Sequence, residues 1–186
     1  MKWKYILIGL AFSLLIVLAV FLIAGNILLK AMNVSKESID YNVFNEPIQE
    51  IPCYKEPIVL EGDGYKHLIN FKAKYKVSAQ IKGKKRYTSD WNAAISPYDL
   101  LLVWGKLADN TIDDHIHYSQ SGRWYHSKFN FRECPFSTSY INDHAANTHI
   151  IPANTEVRKE LESINVNQNV HLEGYLIYLE GLYKGK

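Results

Sequence analysis

The chain has 186 residues, 47% hydrophobic, 22% charged and 13% aromatic, with a formal net charge of +2. That length holds one ordinary domain, or one domain and a membrane segment, and the composition excludes collagen, a disulfide-dense miniprotein and a long disordered chain. Three of the 21 basic residues, Lys2, Lys4 and Lys30, flank an apolar run; the body beyond them carries 18 basic and 19 acidic residues, which lacks the basic face of a nucleic-acid binder.

Tyr5 to Leu29 contain no charge, and only Ser13 and Asn26 are clearly polar. As a helix the run would span roughly 37 Å, enough to cross a hydrocarbon core of about 30 Å. It is apolar all round, unlike a surface helix. Lys2, Lys4 and the amino terminus precede it, whereas Glu37, Asp40, Glu46 and Glu50 follow Lys30 and Lys36. The positive-inside rule therefore predicts a cytoplasmic tip at residues 1–4 and a body outside the cytoplasm, with Trp3 and Tyr5 at the interface. A cleaved signal peptide would need a shorter core and a small-x-small site, so the run reads as an uncleaved signal anchor over 5–29. Residues 30–56, with Pro47 and Pro52, read as an extended stalk. An extracytoplasmic domain is predicted over 57–186.

Ile69 to Ile81 alternate apolar and polar residues without a break, the mark of a half-buried antiparallel strand. Lys82-Gly83-Lys84-Lys85-Arg86 reads as a solvated hairpin tip. Ser96-Pro97-Tyr98-Asp99 reads as a helix start, with Leu100 to Trp104 a short apolar helix stopped by Gly105. Asp113 to Tyr118 and Arg123 to Phe131 are predicted strands joined through Ser121-Gly122. Asn154 or Thr155 caps a helix to about Ser163, with Val157, Leu161 and Ile164 at helical spacing. Val170 to Leu179 is a last strand, with Val170, Leu172, Gly174, Leu176 and Tyr178 on one face. Together these predict an α+β domain: a mainly antiparallel, barrel-like sheet with two or three short helices.

Cys53 and Cys134 are compatible with one disulfide or with two thiols; without C-x-x-C they make no thioredoxin-like centre and no cysteine-based zinc site. Five of the seven histidines, His115, His117, His126, His144 and His149, fall within 35 residues. On a strand His115 and His117 would share a face and could chelate, with Asp114, Asp143 or Glu133 to complete a site. His144 and His149 point apart on either regular structure. No H-E-x-x-H, G-x-S-x-G, G-x-G-x-x-G or P-loop occurs, so no metal, nucleotide or other cofactor is expected. Ser119 and Ser121 lie near histidines without an elbow motif.

The groups that interrupt the plain scaffold are Trp104, the segment with Ser119, Ser121, Arg123 and Trp124, and the segment with His144, Asn147 and His149. They are predicted to converge on one cleft, with Arg123 a fixed charge for an anion, Asn147 and His149 hydrogen-bonding groups, and the tryptophans as walls. The plainer alternative has Trp104 in the core and Arg123 paired with an acid.

Ser96-Pro97-Tyr98-Asp99-Leu100 with Val103-Trp104-Gly105, Tyr118-Ser119-Gln120-Ser121 with Arg123-Trp124-Tyr125, His144 to Ala153, and Val170 to Leu176, in that order, resemble a family of uncharacterised single-pass bacterial envelope proteins. The resemblance covers roughly residues 70–179. It implies a bacterial inner-membrane protein with an anchored periplasmic or extracellular domain, and it implies no activity. Family members continue past the last strand into a polar segment ending near a cysteine, where this chain ends at Lys186. The resulting expectation is a non-enzymatic binding or scaffold domain with an unknown protein or small-molecule partner. Two alternatives stand beside it: an envelope hydrolase, metal-assisted or not, using His115, His117, His144 or His149, and an accessory subunit of a membrane complex.

Overall fold

The strand predicted over residues 69–81 is the spine of the domain. In the computed structural model, residues 42–62, 65–90 and 92–183 are described, and they lie within one compact unit, Tyr41–Lys186. The predicted membrane run and the first part of the stalk lie outside the described residues. Among the described residues no helix is long and apolar enough to cross a membrane.

Among the described residues, eight strands and two α-helices follow one another. They are β1 (Ile48–Glu50), β2 (Ile58–Gly62), β3 (Tyr65–Arg86), β4 (Tyr98–Val103), β5 (Ile116–Ser121), β6 (Trp124–Phe129), α1 (Thr138–Asp143), β7 (Ala145–Ile150), α2 (Thr155–Ser163) and β8 (Asn169–Tyr183). Two 3₁₀ turns, Gly105–Ala108 and Asn110–Ile112, link β4 to β5. All pairings are antiparallel. β8 runs along one edge of β3 from Tyr65 to Gln80, so β2, β1 and β4 share its other edge, and β7 flanks β4. The fold is therefore α+β and mainly β, its large sheet curled into a half-barrel. β5 and β6 form a separate hairpin.

β3 obeys its alternation: Ile69, Ala73, Val77, Ala79 and Ile81 are buried while Lys72 and Lys74 are exposed. Gln80 is the exception, buried and donating to Asn110 Oδ1 at 2.7 Å. The strand does not turn at Lys82. It shifts register between Ile81 and Gly83 and continues to Arg86 along β4. The charges expected at a hairpin tip are used internally. Lys82 pairs with Asp113, Lys84 donates to the carbonyls of Glu162 and Ile164, both at 2.9 Å, and Lys85 donates to the Gln120 carbonyl at 3.3 Å.

The predicted helix over 96–104 is instead strand β4, buried at every position. A short apolar run carries no period when both faces are covered, which leaves its secondary structure open. Tyr98, Leu100 and Leu102 join Val77, Ala79, Ile81 and Leu161 of α2 in one core. Val103 joins a second core with Val43, Leu107, Ile116, Ile141 and Ala145. Asp99, like Val103, alternates to this second side, where the hairpin packs.

The last strand also departs from its predicted face. Val170, Leu172 and Gly174 are partly buried, but Leu176 and Tyr178 are exposed and Ile177 and Leu179 take the inner positions. The extra residue of a bulge between Phe71 and Ala73 lies in β3, so β8 alternates without a break and the covered side of the sheet changes at that point. The helix over Thr155–Ser163 forms as predicted, capped by Asn154, whose side chain accepts from the Val157 N–H at 2.9 Å. Residues 42–50, predicted as part of the stalk, pack on the domain: Val43 is 6% exposed and β1 pairs with Lys74–Lys76. Cys53 and Cys134 are unbridged, partly buried thiols.

Candidate ligand-binding site

The tight hairpin turn positions the central charge. Gly122 and Arg123 both have positive φ, 52° and 66°, the conformation a two-residue turn of this hand requires. It delivers the Arg123 side chain onto the second face of the large sheet. There Asp99 of β4 stands opposite His149 of β7, and Leu101 opposite Asn147.

Asp99 has no solvent exposure. Its Oδ1 accepts from Arg123 Nη1 at 3.0 Å and lies 2.8 Å from His149 Nδ1, and its Oδ2 accepts from Asn147 Nδ2 at 3.1 Å. The guanidinium also grips Asp90 through Nε and Nη2, both at 2.9 Å, and donates to the Ser96 carbonyl at 3.0 Å. Its Cζ lies 4.1 Å from the centre of the Tyr87 ring, a cation–π contact. Asn147 donates to the Arg123 carbonyl at 2.9 Å and accepts from Gln120 Nε2 at 2.7 Å. A buried carboxylate is tolerable only when paired and fully hydrogen-bonded, and this one is. The hydrogen bond from Arg123 lowers the Asp90 carboxyl below its ordinary value, against the effect of burial.

Of the residues predicted to share a cleft, the fold brings Arg123, Trp124, Asn147 and His149 together, with Tyr125, around a cavity of about 320 Å³. Arg123 spends four of its five side-chain N–H donors on Asp90, Asp99 and Ser96, and Asn147 uses both amide hydrogens and its oxygen inside the protein. Trp124 is 73% exposed, and the His149 side chain is half exposed with Nδ1 held by Asp99.

Trp104 and His144 belong elsewhere. They sit at the far end of β4 and β7, about five residues or roughly 16 Å from Asp99 and His149. Trp104 is buried in the first core, as the plainer reading had it, and its Nε1 donates to Glu46 Oε2 at 3.2 Å. His144 stacks on Tyr140, with ring centres 3.8 Å apart, and spans the Tyr140 carbonyl and Glu46 Oε1, each at 2.9 Å. The backbone N–H of Gly105, at φ +61°, donates to the Val43 carbonyl, and a Cβ there would lie 2.7 Å from His144. This second cluster fastens residues 43–46 to the domain.

Ser119 and Ser121 lie on the outer, exposed face of the hairpin, where Ser121 Oγ is 2.9 Å from His126 Nε2. His115 sits in the turn before β5 and His117 points outward from the strand, so the two do not share a strand face. Among the described residues no group of three His, Cys, Asp or Glu side chains is placed to hold a metal.

Asp99, Asp90, Gln120 and Tyr87 were not foreseen. Asp99 did leave a signal: a carboxylate next to Leu100-Leu101-Leu102-Val103 needs a cationic partner if that run is buried. Comparison of the chain with family models, with curated proteins and with solved structures finds no match. The fold and site therefore define the protein by architecture alone: an antiparallel half-barrel whose covering hairpin is locked onto it by the buried Asp99 carboxylate and its partners Arg123, Asn147 and His149.

Proposed function

We propose that the protein is a membrane-anchored binding domain of the bacterial envelope, with residues 5–29 in the inner membrane and the half-barrel outside the cytoplasm. The uncharged run and its lysine-flanked start support the anchor. The observation that carries the binding reading is Trp124, an indole 73% exposed at the rim of a cavity with His149. A large exposed aromatic on a rigid turn suits recognition, because stacking costs it little rotamer freedom. The locked Asp99–Arg123 cluster underneath holds that rim in place. The ligand would present a flat face to Trp124 and an acceptor or donor to His149 Nε2. Trp124→Ala and His149→Ala should each abolish the cellular phenotype of a deletion-complementation assay, Trp124→Ala with the melting temperature within a degree or two and His149→Ala with a lowered one, because it takes a partner from the buried Asp99 carboxylate. Full complementation by both variants would end this reading.

A further inference from the structure

A second and larger cavity, about 600 Å³, lies away from Trp124. Its walls include His67 and Arg86, from opposite ends of the single strand β3. A straight strand would hold those two residues roughly 60 Å apart, whereas here both line one cavity. The sheet therefore curls around this space, which is the mouth of the half-barrel, a usual position for a ligand in such folds. Residues 87–90, 93–95 and 97, with Arg158 of α2, close its other sides.

The charges around the cavity are unbalanced once internal pairs are removed. Of its two acids, Asp90 is held by Arg123 at 2.9 Å from two directions and Glu61 by Lys66 at 2.9 Å. Of its two arginines, Arg158 makes a long, exposed ion pair with Glu162 at 4.0 Å, which solvent weakens, and Arg86 has no ion-pair partner among the described residues. Buried Ala93 and Pro97, with Leu60 and Ile95, supply an apolar wall. Two guanidinium groups with planar, forked donors suit a carboxylate or a phosphate.

We propose that the mouth of the half-barrel is a binding site for a small organic anion, its carboxylate or phosphate held between Arg86 and Arg158 and its apolar part against Leu60 and Ile95. The Asp90–Arg123 bridge forms part of the wall between this cavity and the one at Trp124, so the two sites are distinct.

Calorimetric titration of the full chain in phosphatidylcholine nanodiscs tests this, with phenyl phosphate, benzoate, benzyl alcohol and benzylamine as probes. One or both anions should bind saturably at one per chain, and the alcohol and the amine should not. Arg86→Gln combined with Arg158→Gln should weaken that binding at least tenfold with an unchanged melting temperature. Ala94→Trp, which fills the cavity from an exposed position, should abolish it, and Trp124→Ala should leave it intact. Absence of saturable anion binding would overturn the proposal. So would equal binding of benzyl alcohol, undiminished binding in the double variant, or loss in Trp124→Ala alone.

Discussion

Arg123 links three elements through one side chain. Its contacts to Asp90, Asp99 and the Ser96 carbonyl join the 87–97 loop, β4 and the hairpin. Removing it leaves the Asp99 carboxylate buried without its cation, so Arg123→Ala should cost about 3–5 kcal/mol in urea unfolding, far beyond a surface substitution. A double-mutant cycle with Asp99→Asn should return much of that loss. Acid should act on the same cluster. Because Asp90 is lowered by Arg123, the unfolded chain binds this proton more tightly than the folded one. The pair's contribution is present above the ordinary carboxyl value of 3.8 and is lost as the pH falls below it. Stability measured from pH 6 to 2 should therefore fall below about pH 4, and less steeply in Asp90→Asn. Tyr118 presents the opposite case: its buried hydroxyl has no hydrogen-bond partner among the described residues, and burial raises its pKa. Tyr118→Phe should be neutral or stabilise the domain by up to about 1 kcal/mol, since an unmade bond is removed with its desolvation cost.

The hairpin and α2 cover opposite faces of the sheet by different means. α2 is held by apolar contact, with Leu161 buried to 2% beside Val157 and Ile164. Leu161→Ala should cost about 2–5 kcal/mol, read from the shift in unfolding midpoint at unchanged slope. The hairpin docks through polar groups as well as through Ile116 of the second core. Gln120 packs directly on Gly83, where an added Cβ would lie 2.6 Å from Gln120 Oε1 and 3.3 Å from Leu101 Cβ. Gln120 is tied to Asn147, so it yields only by breaking that bond. Gly83→Ala should cost about 1–3 kcal/mol, and the cost should shrink when Gln120→Ala is made with it. Equal losses in the single and double variants would show that the glycine serves the β3 bulge instead of the hairpin.

For the whole molecule, the anchor reading makes a prediction independent of the cavities. On that reading a periplasmic reporter enzyme fused after Lys186 should be active, and a reporter that works only in the cytoplasm should be silent, because the positive charge of Lys2 and Lys4 would keep the amino terminus inside. The reverse result would place the half-barrel in the cytoplasm. Glu46, His144, Trp104 and the Val43 carbonyl fasten residues 43–46 to the half-barrel. Limited proteolysis should accordingly spare the 43–50 segment, and Glu46→Gln combined with His144→Ala should open it to cleavage.

The sequence by itself was sufficient where a pattern is local. The alternation of 69–81, the capped helix over 155–163 and the β5–β6 hairpin depend on near neighbours and on one buried face, and they are legible as periods of two or 3.6 residues. The α+β, mainly antiparallel class followed from these. Only the tertiary structure decided β4, because a strand covered by α2 on one side and the hairpin on the other has no period to read. It alone decided the fate of Lys82, Lys84 and Lys85, whose partners Asp113, Glu162 and Gln120 lie tens of residues away, and the covered side of β8, which changes at the bulge of its neighbour. The site divided in the same way. Arg123, Trp124, Asn147 and His149 were legible as polar and aromatic interruptions of a plain scaffold. That Arg123 and Asn147 are hydrogen-bonded within the protein, and that Trp104 and His144 stand at the other end of the strands, follows from which acids and carbonyls the sheet register places beside them. Register is a property of paired strands, and no single segment contains it.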